Sequence, residues 1–130
     1  MQDADFSDEF CQFIQGTTPT LEAAELLLAL AAEPDEWWDR NRLPAKLRST
    51  IGISDAEAAR YLDTFQARGL LSVGPDNRIR YHPSSVKLAS HATTLAHAYA
   101  ERPVTLIRMI YALRDAKIRS FSDAFKLTRK

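Results

Sequence analysis

The sequence predicts a mainly α domain carrying one small β hairpin. Three observations lead there. Apolar residues recur at helical spacing through most of the chain. Ser54-Asp55-Ala56-Glu57 is a capping box, a serine followed three positions on by a glutamate. Arg78-Ile79-Arg80-Tyr81-His82 is the one cleanly alternating run, and it follows the turn formers Gly74-Pro75-Asp76-Asn77. A chain of 130 residues, 45% hydrophobic and 26% charged, suits one compact domain or a small domain with helical extensions, and can form a core without disulfides or metal.

Phe6, Phe10, Phe13 and Ile14 lie at i, i+4, i+7 and i+8, one face of a short helix that Gly16 is expected to end. Thr18-Pro19 reads as the next helix start, a hydroxyl cap followed by proline, and Leu21 to Ala32 is rich in strong helix formers until Pro34 stops it. Glu36-Trp37-Trp38-Asp39 reads as a short strand, which sends one indole inward and the other outward; a helix is the second choice. Leu43 to Thr50 follows as a short helix, and Ile51-Gly52-Ile53 as a turn. The Ser54 box opens a helix running to Arg68, with Ala58, Tyr61, Leu62 and Phe65 inward and Gly69 past its end. Leu70 to Val73 and Arg78 to His82 form the hairpin, with Ile79 and Tyr81 on one side, Arg78, Arg80 and His82 on the other, and Pro83 at its close. Leu88, Ala92, Leu95, Ala96 and Tyr99 stripe a further helix, capped by Ser84 or Ser85. Val104 to Leu113 is apolar almost all round, which predicts burial on several sides, and Ser120 to Leu127 reads as a separate last helix with Phe121 and Phe125 one turn apart.

Charge is distributed unevenly beneath a net of zero. Residues 1–39 hold ten acids and no Lys or Arg, while residues 40–130 hold all 17 basic residues. That polarity predicts an acidic segment lying against, or masking, a basic working surface. Chemistry is poorly represented. His91 and His97 fall on roughly opposite faces of their helix, the single Cys11 offers no zinc framework or internal disulfide, and the four glycines are isolated from one another. The expectation is therefore a non-enzyme with no cofactor and no metal. The lone cysteine and the acidic, leaderless N-terminus suit a cytoplasmic protein, and no apolar run approaches the roughly 20 residues of a membrane span.

From Leu21 to Pro83 the order is helix, short strand, helix, turn, capped helix, strand, turn, strand. With Leu47, Ile51-Gly52-Ile53-Ser54 at the turn, Leu62 and Phe65 in the second helix, Arg68-Gly69-Leu70-Leu71 leaving it and Arg78 to His82 beyond, this order resembles the winged-helix domains of MarR-like bacterial transcriptional regulators. The resemblance covers about half the chain. It implies a winged helix-turn-helix over residues 20–83, flanked by an acidic N-terminal helical arm at 1–19 and a C-terminal helical extension at 84–130 that forms the dimer. It also implies a regulator that acts by occupying a site on double-stranded DNA.

On that reading Ser54 opens the helix that meets the groove, Arg60 reaches the bases, and Lys46, Arg48, Arg78 and Arg80 hold backbone phosphates. The same helix turns Asp55, Ala56, Ala59 and Asp63 outward with Arg60, a poor set for reading bases and one that repels phosphate. The alternative is a winged helix acting as a protein-interaction module, docking a partner through the acidic helix or the C-terminal tail. A continuous positive face favours DNA, and a divided face favours a protein partner.

Overall fold

The computed structural model describes residues 6–40, 43 and 45–128, with side chains described at all of these except 45, 46, 48 and 116–128. The described backbone is mainly helical. The helices are α1 (Asp8–Thr17), α2 (Leu21–Ala31), α3 (Ala45–Ile51), α4 (Asp55–Ala67), α5 (Val86–Glu101) and α6 (Pro103–Thr128). Three short strands, β1 (Trp38–Asp39), β2 (Leu71–Val73) and β3 (Arg78–Tyr81), form an antiparallel sheet in the order β1-β3-β2.

Local chemistry accounts for most of the boundaries. Ser7, Thr20, Ser54 and Ser85 each sit in extended backbone at a helix start and accept a hydrogen bond from a first-turn amide. At Ser54 the box is complete: the hydroxyl accepts from the Glu57 amide at 3.1 Å and the Glu57 carboxylate accepts from the Ser54 amide at 3.0 Å. Gly69 closes α4 with φ at +84°, a left-handed geometry that costs glycine little. The tip between β2 and β3 is a single 3-10 turn over Pro75–Asn77, with Asp76 and Asn77 both at positive φ.

Four expectations are corrected. Gly16 lies inside α1, which runs on to Thr17 and ends at Thr18; the second helix is capped by Thr20, not Thr18. Val104 to Leu113 buries one stripe, Leu106, Met109 and Ile110, whereas Val104 and Tyr111 are 60% and 50% exposed. The separate last helix is instead the end of α6, which has no Pro or Gly after Pro103 to break it. Phe121 and Phe125 lie where side chains are outside the described residues.

One hydrophobic cluster runs through the fold. Phe10 and Ile14 of α1, Leu26, Leu27 and Leu30 of α2, Leu62 and Phe65 of α4, Ile79 of β3, Leu95 of α5, and Leu106 and Ile110 of α6 all belong to it and are essentially buried. Each large aliphatic or aromatic side chain so placed contributes about 1.5–3 kcal/mol through removal from water. The acidic N-terminal helix is thus held chiefly by apolar packing, and an ion pair between Lys87 Nζ and Glu9 Oε2, 3.1 Å apart, joins it to α5. Cys11 packs beside it, its Sγ 3.8 Å from Met109 Sδ.

On the α2–α5 side, Tyr99 Oη donates to Glu25 Oε2 at 2.7 Å. That carboxylate acceptor, with some burial beside it, holds the phenol above its usual value of 10.0. Burial alone raises Tyr81 on β3 in the same direction.

Candidate functional site

α3, the turn at Gly52 and α4 lead directly into the β2–β3 hairpin, so α4 and the hairpin border one surface. Ala58, Leu62 and Phe65 pin the inner face of α4 to the core. The opposite strip, Asp55, Ala56, Ala59, Arg60 and Asp63, is exposed throughout. Ala56 and Ala59 keep its middle low, and the Arg60 side chain has no partner among the described residues.

Arg40 joins this strip to the hairpin. Its backbone N–H donates to the Asn77 carbonyl at 3.2 Å, extending the β1–β3 pairing to the hairpin tip. Its guanidinium pairs with the Asp63 carboxylate and donates to Gln66 Oε1 at 3.0 Å. One of the strip's two outward carboxylates is therefore neutralised from within the fold.

The strand pairing sorts the two tryptophans as their alternation predicts. Trp38 lies opposite the buried Ile79, on the core side. Trp37, the residue before β1, lies on the other face, where the Arg80 guanidinium carbon sits over its ring, 4.7 Å from the centre. A Cβ on Gly74 would lie 2.6 Å from the Trp37 six-membered ring, so the indole reaches across β3 to the residue just past β2 and needs glycine there. The Arg80 Nε is shielded from solvent and has no hydrogen-bond partner among the described residues. Arg78, one residue past the tip, is exposed and has no side-chain partner among the described residues.

Of the residues expected to form a site, Ser54 is occupied in capping, Arg60 and Arg78 are open, and Arg80 is stacked. Lys46 and Arg48 lie on α3, and their side chains fall outside the described residues. Arg68, another cation near α4, turns away to α1, where its Nη2 would be 2.7 Å from a Cβ on Gly16. Its charge there suits the carboxyl end of a helix. Sequence reasoning missed the tie made by Arg40. The nearest signal was two acids, Asp55 and Asp63, on a surface expected to bind an anion.

The described charge around α4 is therefore divided. Among the described residues no group of three or more His, Cys, Asp or Glu side chains could hold a metal ion, and no described helix is long and apolar enough to cross a membrane. No family model, curated protein or solved structure matches the chain.

Proposed function

We propose that the protein binds double-stranded DNA as a winged helix-turn-helix module resembling those of MarR-like regulators, and acts by occupying a site. On this reading α4 meets the major groove and the β2–β3 hairpin is the wing, lying along the backbone. The observation that carries the reading is the Arg40 tie. It fixes α4 against the hairpin tip, neutralises Asp63, and leaves Arg60 and Arg78 open on adjoining elements. The small side chains of Ala56 and Ala59 allow close approach and suit apolar contact with a thymine methyl. With one arginine on the strip, base reading is slight and phosphate contact dominates, so affinity falls steeply with salt.

A homodimer belongs to the same proposal. Val104 and Tyr111 of α6 are at least half exposed beside the buried stripe, and exposed apolar surface of this kind suits an interface. Sedimentation across a hundredfold dilution range tests it, and a monomer throughout overturns it.

A protein-interaction module is the second reading, favoured by Asp55 and Asp63 on the exposed strip. Titration of the whole chain with mixed-sequence duplex and with an irrelevant polyanion, at several salt concentrations, separates the two. Duplex binding tighter than polyanion binding at equal salt supports the DNA reading. No duplex binding at low salt overturns it in favour of a protein partner.

A further inference from the structure

We propose that Trp37 and Gly74 are positioning residues for Arg80, holding its guanidinium over an indole so that its terminal N–H groups meet a DNA phosphate already oriented. The inference rests on the DNA reading and specifies which part of the hairpin carries it. Three observations converge on this spot. Trp37 immediately precedes β1, the neighbour of β3, and the Arg80 guanidinium carbon lies over its ring, 4.7 Å from the centre. The indole extends to the residue just past β2, where Gly74 alone makes room for it, since a Cβ there would lie 2.6 Å from the ring. The Arg80 Nε is buried with no acceptor among the described residues.

The last observation gives the arrangement a direction. Burying an arginine N–H without an acceptor is unfavourable, and a lysine in its place, with a methylene where Nε stands, would avoid it. With the ring against the guanidinium and Nε shielded, the donors left for an outside acceptor are the two Nη groups. A planar, pre-oriented edge of this kind matches a phosphate's paired oxygens and gives up little side-chain freedom on binding. Arg78, on the same face of β3 and open to solvent, lacks such backing and serves as the flexible neighbour.

The test measures binding of labelled mixed-sequence duplex to the full chain by fluorescence anisotropy across a salt series. Arg80→Ala should reduce the log-affinity against log-salt slope by about 0.9, one phosphate's worth. Gly74→Ala, which displaces the indole, and Trp37→Leu, which removes the ring, should each weaken binding by about two- to fivefold through loss of the cation–π contact. Neither should weaken binding further when added to Arg80→Ala, and Trp37→Tyr, which keeps a ring face, should recover most of the loss. Folded Gly74→Ala and Trp37→Leu proteins that bind like the unaltered chain overturn the proposal. So does an equal loss from these substitutions in the Arg80→Ala background.

If both ring-displacing variants fail to fold, Arg80→Lys decides. This variant keeps the charge but not the planar stack. Binding near the Arg80→Ala level supports the proposal, and unaltered binding overturns it. Absence of duplex binding by the unaltered chain removes the DNA reading itself, a result distinct from any of these.

Discussion

The two sides of the molecule use their side chains differently. Where α1, α2, α5 and α6 meet, the large residues are apolar and buried, and their positions follow helical spacing. Where α4 meets the sheet, the residues that matter are arginines, and their environments range from ion-paired (Arg40) through stacked (Arg80) to open (Arg60, Arg78). A buried leucine is committed by its spacing along one helix. An arginine is committed by whichever element the fold brings within reach of its long side chain.

The comparison can be broken most forcefully on the helical side. Leu26→Ala, at a fully buried position of α2, should cost about 2–5 kcal/mol in denaturant unfolding. A cost under 1 kcal/mol would mean that the α1–α2–α5–α6 core is loosely packed.

A second break concerns the junction between the two sides. Gly69 combines φ at +84° with a neighbour, Ser84 Oγ, only 2.5 Å from where a Cβ would stand. Gly69→Ala should destabilise by about 1–3 kcal/mol through backbone strain and crowding. Relieving the crowding with Ser84→Ala should recover only part of that, because the strain remains. Thermal melts of the single and double variants check this.

A smaller effect sharpens the contrast on the sheet side. Arg40→Ala removes an exposed ion pair and one hydrogen bond, so stability should change by less than about 1 kcal/mol. Duplex affinity at low salt should nevertheless fall, because Asp63 is then left unneutralised on the proposed DNA face. An Arg40→Ala protein that binds DNA as tightly as the unaltered chain removes Arg40 from the site.

The smallest effect is at alkaline pH. The protonated Tyr99 phenol donates to Glu25, and its folded value lies above the usual 10.0. This contribution to stability is fully present below pH 10 and is lost as the pH rises through the raised folded value. Melting temperatures should therefore fall slightly faster above pH 10 in the unaltered chain than in Tyr99→Phe. Parallel curves contradict it.

The sequence made the inner face of α4, its capping box, the hairpin alternation and the division of Trp37 from Trp38 legible, because each is set by neighbours within a few residues. It did not disclose that Gly16 lies inside a helix to admit Arg68, or that Gly74 makes room for Trp37. Both are close approaches between elements distant in the chain, and glycine's ordinary role as a terminator or turn former hides them. Val104 to Leu113 misled in the other direction: its apolar residues encircle the helix, yet among the described residues it is the stripe facing α1 and α5 that is buried.

The central claim is that the hairpin holds the DNA backbone through Arg78 and Arg80. Its most direct test is the salt dependence of duplex binding by Arg78→Ala/Arg80→Ala beside the unaltered chain. The double variant should weaken all sequences alike and flatten the log-affinity against log-salt slope by about 1.8, at roughly 0.9 per phosphate. A folded double variant whose slope equals that of the unaltered chain would contradict the claim, because the hairpin would then make no contact with the backbone.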